Sequence, residues 1–389
     1  MIPRYFDWAA TTPMCAQALH AYQQTALTYI GNPSSLHKAG IDAAAFLKEQ
    51  REQTAMLLGV PATTITYTSG ATESDSIPIL AQLWRRTPGR IIFSSIEHDA
   101  ISQYRRLLQD KGFDIKILRA RDGYVDPDEL TSLLTADTQL VCVMLVNNVV
   151  GTVQPIAEIA QRIRIFQKET GKMIHLHCDA VQALGKIPID LIHLDVDSAA
   201  FSAHKFQGPR GVGILYNRTA NLIALSKGGG QERMLRPGTE NTAGIAAMNA
   251  ALDNTMNGLP ENLAKATVLR RDFEQRLSSL RGVALVSPSM DSNGRVSPYI
   301  AAISIHGIPS EIFTRVMYDR GYCISSGSAC SNNTKLKSDT LLTSMGFSPS
   351  MAASTIRISF GPATSREELA QLCDTIQEES EKLQHIVRK

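Results

Sequence analysis

Between residues 60 and 216, short runs of apolar and β-branched residues alternate with stretches whose apolar positions recur every three or four residues. The first pattern predicts strands at Ile65–Thr68, Arg90–Ser94, Asp114–Leu118, Gln139–Val146, Ile174–Cys178, Ser198–Ser202 and Gly213–Tyr216. The second predicts amphipathic helices between them, most clearly over Ile156–Thr170. Asp126-Pro127-Asp128-Glu129 reads as a helix start, with an aspartate cap and proline in the first helical position. Strands that alternate with helices imply an α/β layer built on a mostly parallel sheet.

Beyond residue 242 the pattern changes. A long helical stretch spans about Ala243 to Leu280 and is interrupted near Gly258-Leu259-Pro260. Strands are expected at Ile300–Ile305, Tyr322–Ser325 and Thr355–Phe360, and helices at Ser310–Arg320 and Ser365–Val387. The last begins with Ser365-Arg366-Glu367-Glu368, the spacing of a capping box. A few strands with helices on them predict a second, smaller α+β unit. Ser331–Asp339 is polar, lacks apolar periodicity and reads as an exposed loop.

Composition narrows the function classes. The 389 residues are 43% hydrophobic, enough for a large core. Basic and acidic residues are interspersed and nearly balanced at a net charge of +2, which argues against a nucleic-acid or anionic-membrane surface. The longest apolar run, Leu140–Val146, is far too short to span a bilayer. Asp7 interrupts any signal-like segment, so a cytoplasmic protein is expected. Cys15, Cys142, Cys178, Cys323, Cys330 and Cys373 are scattered without a CxxC pair, which indicates neither a disulfide framework nor a zinc knuckle.

Four local patterns carry candidate chemistry. Thr68-Ser69-Gly70-Ala71-Thr72-Glu73-Ser74 is a small-residue strand-to-helix turn whose free N–H groups suit a phosphate, or simply an ordinary capped turn. In His175-Leu176-His177-Cys178-Asp179, the aspartate ends a strand at the sheet edge where ligands bind. It also reads as a helix cap, and the alternating His175, His177 and Asp179 raise a metal site as a rival, rated low because Lys205 follows nearby. Ser202-Ala203-His204-Lys205 puts a lysine at the end of the next strand. Lysine forms a Schiff base with pyridoxal phosphate and the pyridinium nitrogen requires an acid, a pair that Lys205 and Asp179 supply. Ser325-Ser326-Gly327-Ser328-Ala329-Cys330 places a thiol after small residues at the mouth of the polar loop, either a reactive thiolate or an inert strand-end cysteine.

Together these segments resemble the cysteine desulfurases of the NifS/IscS type, within the class V aminotransferase-like enzymes of fold type I. The likeness runs from Tyr5-Phe6-Asp7-Trp8-Ala9-Ala10-Thr11-Thr12-Pro13 to Arg357 and includes Asn32-Pro33-Ser34-Ser35, SGATESD at 69–75, Glu97-His98, Asn147-Asn148, Asp179-Ala180-Val181-Gln182, Ser202-Ala203-His204-Lys205, GGGQER at 228–233, Arg236-Pro237-Gly238-Thr239 and SSGSAC at 325–330, in that order. It implies a large α/β cofactor-binding domain over residues 15–255, and a small α+β domain from residues 1–14 and 256–389.

The resemblance also implies roles. Lys205 would carry pyridoxal 5'-phosphate covalently and shuttle the substrate Cα proton, and Asp179 would pair with the ring nitrogen. His98 would stack on the ring and transfer protons. Asn148 and Gln182 would contact the phenolic oxygen. Ala71, Thr72, Ser202 and His204 would hold the phosphate, joined by Thr239 from a second subunit of a homodimer. Arg357, helped by Asn32, would clamp the carboxylate of substrate L-cysteine, and Cys330 would take the sulfur as a persulfide for an acceptor protein. No metal is implied, nor any direct contact with nucleic acid or membrane. The acceptors of such enzymes serve iron–sulfur assembly, tRNA thiolation and DNA sulfur modification.

Four positions depart from the family pattern. Ser76 and Val149 stand where Asn and Glu are more usual, Ala203 replaces a glycine, and Pro78 falls inside the helix expected after Thr72, predicting a kink. Loss of a carboxylate at Val149 is expected to alter proton traffic beside the cofactor. Two other functions fit the same frame: a lyase for selenocysteine or cysteine sulfinate, which needs no nucleophilic cysteine, and a catalytically silent binding protein, against which Lys205 and Asp179 speak.

Overall fold

The computed structural model describes residues 4–219, 222–224, 226–290, 293–327 and 341–387. Seven strands form the central sheet: β1 (Ile65–Thr68), β2 (Arg90–Ser94), β3 (Asp114–Leu118), β4 (Thr138–Cys142), β5 (His175–Asp179), β6 (Ser198–Ser202) and β7 (Gly213–Asn217). Their order is β1-β7-β6-β5-β4-β2-β3. All neighbours are parallel except β7, which runs antiparallel between β1 and β6. Helices cover the sheet, so its central strands are buried on both faces and read as near-continuous apolar runs.

Local sequence explains the helices that flank this sheet. α1 (Ala16–Thr28) and α2 (Lys38–Leu58) precede it, and α2 stops at Gly59, whose φ of +65° is left-handed. α3 (Ala71–Leu80) follows β1 directly; Pro78 lies within it and the helix ends two residues later, passing into a 3₁₀ turn over Ala81–Trp84. α4 (Ile156–Thr170) buries Ile156, Ile159, Ala160 and Ile163, one stripe at the spacing that predicted it. Asp126 caps the helix Pro127–Leu133 by accepting from Asp128 N at 2.8 Å.

β4 is shorter than the expected Gln139–Val146. Past Cys142 the chain leaves the ladder with β2, yet Val143 N and Leu145 N still donate to His177 O and Asp179 O of β5. The apolar run therefore stays buried while it carries Asn147 and Asn148 over the end of the sheet.

α5 (Thr242–Asn257) and α6 (Leu259–Leu277) lead to a second sheet of β8 (Val283–Leu285), β9 (Ile300–Ile305), β10 (Ser325–Ser326) and β11 (Thr355–Ser359), antiparallel in the order β8-β9-β11-β10. Against it pack α7 (Ser310–Asp319) and α8 (Arg366–Val387), around Phe273, Phe313, Phe360, Ile303, Ile358 and Leu372. α8 opens with the expected reciprocal cap: Ser365 N donates to Glu368 Oε2 at 3.0 Å and Glu368 N to Ser365 Oγ at 3.1 Å. The start of the chain joins this unit, since Arg4–Tyr5 pairs in parallel with Tyr322–Cys323. From there it runs to the edge of the central sheet.

Candidate active site

The carboxyl ends of β1, β2, β4, β5 and β6 share one edge, and a cavity of about 560 Å³ opens there. At the end of β1, Gly70 caps α3 without a side-chain hydrogen bond, so the first N–H groups of the helix meet no capping side chain. The turn lies directly on β7: a Cβ on Gly213 would come within 2.6 Å of Gly70 Cα. Ala71, Thr72, Ser202 and His204 line this end of the cavity. Burial, and then the neighbouring Lys205, push the His204 imidazole down to about 4, so it is neutral at physiological pH. Its Nδ1 lies 3.0 Å from Thr11 Oγ1.

Asp179 ends β5 and is almost wholly buried. Burial raises its carboxyl, while His98, the bond from Val181 N at 2.9 Å and Lys205 pull the other way. Lys205 closes the 3₁₀ turn Ala203–Lys205 after β6 and donates from Nζ to the carbonyls of Ala9 and Ala10, at 2.7 and 2.8 Å. Gln182 Nε2 donates to the same Ala9 carbonyl at 2.8 Å. His98, after β2, accepts from Ala100 N through Nδ1 at 3.1 Å.

Behind Asp179 lie two further buried acids. Asp75, on α3, lines the cavity and is raised by burial, by Asp179 and by Glu97. Burial pushes Glu97 up to about 7 against hydrogen bonds from Ser94 and Met144 N. Asp75 Oδ1 meets His177 Nε2 at 3.0 Å; His177 Nδ1 and His175 Nε2 each lie 2.7 Å from Ser198 Oγ. Burial holds His177 near 3 and His175 near 4. The alternation that suggested a metal site instead turns both rings toward Ser198, and among the described residues no group of three metal-ligating side chains occurs.

Opposite, β11 of the small sheet supplies Arg357, 4% exposed. Its Nη2 donates to Asp7 Oδ1 at 2.8 Å and its Nη1 to Asn148 O at 3.0 Å. Ser325 Oγ also donates to Asp7 Oδ1, at 2.8 Å. Val149 packs its side chain into the main apolar core, next in sequence to Asn148 on the cavity wall. Ala203 is fully buried, and a Cβ on Gly208 would lie 2.9 Å from its methyl.

Two predicted residues lie elsewhere. Asn32 and Thr239 do not line this cavity; they meet each other at 3.5 Å on an exposed surface. The loop leading to Thr239 is pinned by Glu232, which accepts from Arg51 at 2.6 and 2.8 Å and from Tyr67 N at 2.8 Å. Glu232, Arg233 and Met234 all take left-handed φ values, of 45°, 55° and 65°. Cys330 and the loop Ser331–Asp339 lie outside the described residues. The remaining candidates, His98, Asn148, Asp179, Gln182, Lys205 and Arg357 among them, share one cavity.

The class-V aminotransferase family model matches residues 4–372. The chain belongs to that family. It lies on the NifS/IscS cysteine desulfurase branch of these pyridoxal-phosphate-dependent aminotransferase-like enzymes. A NifS/IcsS protein homolog of Lactobacillus delbrueckii subsp. bulgaricus is 37% identical, over 98% of this chain and 99% of its own length. The cysteine desulfurase IscS of Dictyoglomus turgidum is 35% identical, over 98% and 95%. Among solved structures, a NifS-like protein superposes with a TM-score of 0.87 at 34% identity, covering 97% of this chain and 98% of its own. SspA in complex with cysteine gives a TM-score of 0.77 at 31% identity, over 93% and 100%.

The cavity of this class-V family member fits the family cofactor in its donor set and in what it leaves unmatched. Arg357 Nε and Asn148 Oδ1 are buried without hydrogen-bond partners, and both residues line the wall. Buried polar atoms of this kind signal a polar ligand. Sequence reasoning missed several members of the site: Asp7, the carbonyls of Ala9 and Ala10, Thr11 and Asp75. All five residues lie in motifs already singled out, Tyr5–Pro13 and Ser69–Asp75, but their roles depend on contacts across the fold that spacing does not encode.

Proposed function

We propose that the chain is a cysteine desulfurase that binds pyridoxal 5'-phosphate at the edge of the central sheet and L-cysteine between the two sheets. The observation that carries the reading is the convergence on one cavity of Lys205, Asp179 and Arg357, from separate elements. Ala71, Thr72, Ser202 and His204 would hold the phosphate at the N-terminus of α3. Asp179 would meet the ring nitrogen, and Gln182 and Asn148 the phenolic oxygen. Once bound, the cofactor supplies an electron sink for negative charge at the substrate Cα.

The chain's own residues do the rest. Arg357 Nε and the Nη beside it bind the substrate carboxylate, with Asp7 fixing the plane of the fork. Lys205 Nζ removes the Cα proton, and His98 moves protons at the same face. Cys330 Sγ receives the substrate sulfur: its thiol and L-cysteine give L-alanine and a Cys330 persulfide, with every atom accounted for. Ser325 lines the cavity, and Cys330 follows five residues later, a reach of at most about 17 Å of extended chain. The persulfide is then passed to an acceptor protein.

A homodimer is part of this proposal. Leu27, Ile30 and Leu36, on and after α1, are 71%, 81% and 94% exposed, and they adjoin Asn32 in sequence. A second copy would cover them and take Asn32 and Thr239 into its own site. We also propose that residues 1–14 work with 256–389 as one unit beside 15–255, which the pairing of Arg4–Tyr5 with Tyr322–Cys323 supports. Among the described residues no helix is long and apolar enough to cross a membrane. The free Cys15, Cys142, Cys178, Cys323 and Cys373 support a reducing, cytoplasmic setting.

The test is direct. Purified protein incubated with L-cysteine and reductant should form alanine and sulfide in equal amounts. A Cys330→Ala variant should keep the cofactor's visible absorbance and release no sulfide. Absence of alanine from the wild type overturns the reading; full desulfuration by the variant overturns the persulfide step.

A further inference from the structure

Lys186 has no part in the site as described so far. It follows Gln182 by one helical turn's spacing, and it is 6% exposed. Its Nζ donates to Gln182 Oε1 at 2.5 Å. Burial, with Lys205 and Arg357 nearby, pushes this amine well below the usual lysine range. A lysine is an expensive residue to bury, and here it is spent on one side-chain amide.

The amide has two ends, and one of them faces a partner that accepts only one orientation. The Lys186 amine donates to the amide oxygen whether or not it carries a charge. The Ala9 carbonyl is an acceptor alone, so the group facing it must be the nitrogen, and Gln182 Nε2 donates there at 2.8 Å. A half-turn of the amide would set its oxygen against the Ala9 carbonyl oxygen and break the bond that Lys186 Nζ donates to Oε1. Gln182 lines the cavity, and one Nε2 hydrogen is used on Ala9. The second is a donor held in fixed orientation.

We propose that Lys186 is a positioning residue that locks the Gln182 amide, so that the site offers an N–H and not a carbonyl oxygen to an anionic oxygen of the bound ring. The inference rests on the functional reading above and assigns Lys186 a role through Gln182 alone. Ala9 O also accepts from Lys205 Nζ at 2.7 Å, so one carbonyl registers the locked amide against the cofactor lysine.

A double-mutant cycle read by cofactor affinity tests it, with cofactor-free protein titrated with pyridoxal phosphate and followed by visible absorbance. Gln182→Ala should weaken binding on the order of tenfold, the loss of one hydrogen bond to a charged group. Lys186→Met should weaken it by a similar factor, and the double variant should be no weaker than Gln182→Ala alone. Lys186→Gln, whose amide can present either end, releases the lock without emptying the site of polar groups and should weaken binding too. It serves if the methionine variant fails to fold by circular dichroism. Losses that multiply in the double variant, or unchanged affinity in a folded Lys186 variant, overturn the proposal. Failure of the wild type to bind pyridoxal phosphate would instead overturn the underlying reading.

Discussion

Asp7 and Arg357 meet at 2.8 Å where the start of the chain lies along the last strand of the small sheet, and the arginine's Nε is left buried with no partner. The acid uses one corner of the guanidinium and leaves an edge for a carboxylate. Removing the fork by Arg357→Ala should cost about 2–5 kcal/mol of transition-state binding, roughly 30- to several-thousandfold in kcat/KM for L-cysteine. Removing the orienting acid by Asp7→Ala should raise KM on the order of tenfold and largely spare kcat. Steady-state kinetics of both variants decide; an unchanged KM in Asp7→Ala would show that Arg357 needs no such hold.

Glu97 should give the protein a pH-dependent weakness. Its carboxyl holds a proton in the folded chain up to about 7, against 4.5 for an unburied glutamate. Between those values the folded state binds more protons than the unfolded one, so stability falls as pH rises from 4.5 to 7. Glu97→Gln mimics the protonated acid and lacks this loss. Its stability relative to wild type should climb by about 3 kcal/mol over that window and stay level above it. Guanidinium unfolding of both cofactor-free proteins across pH would reveal it, and parallel curves would refute it.

Mixed dimers should show that Asn32 and Thr239 serve the neighbouring subunit. One subunit carries Cys330→Ala and the other carries Asn32→Ala with Thr239→Ala. In the mixed dimer, one site keeps its own Cys330 and receives intact Asn32 and Thr239 from its neighbour. Activity should return to about half the wild-type level per dimer, with each parent homodimer impaired. No recovery would place both residues in service of their own chain.

Gly213 should be irreplaceable for steric reasons. A methyl there would meet Gly70 Cα at 2.6 Å and Phe201 O at 2.7 Å, backbone on both sides, with no flexible side chain to give way. Gly213→Ala is expected to cost about 1–3 kcal/mol by overpacking and to lift the turn that starts α3, weakening cofactor binding. Gly230→Ala, with nothing within 4 Å of the added carbon, is the control. Thermal melts and cofactor titration would compare the two, and equal behaviour would sink the claim.

The sequence made the central sheet legible because its inner strands are buried on both faces, so apolar runs such as Arg90–Ser94 and Ser198–Ser202 mark strands almost to the residue. It also made most of the cavity legible, since Asp179, Ser202 and Lys205 sit at or just after strand ends. α1 and α2 were illegible for the opposite reason. α1 buries Ala18 and Thr25 but exposes Leu19, Tyr22 and Leu27, so its apolar residues do not report on burial within this chain. The proposed second copy would explain that inversion. Asp7, Asp75 and Lys186 were missed because each acts through a contact that only the folded chain creates; Asp7 lies 350 positions from Arg357.

Residues 4–12 connect most of these parts. They pair with Tyr322–Cys323, grip Arg357 through Asp7, and hold Lys205 and Gln182 by the Ala9 carbonyl. Thr12 then bonds His204 O and Gln207 N. This stretch works as a strap buckled to both halves of the molecule. A single proteolytic nick within it would leave both sheets standing, yet uncouple the guanidinium that recognises the amino acid from the amine that works on it.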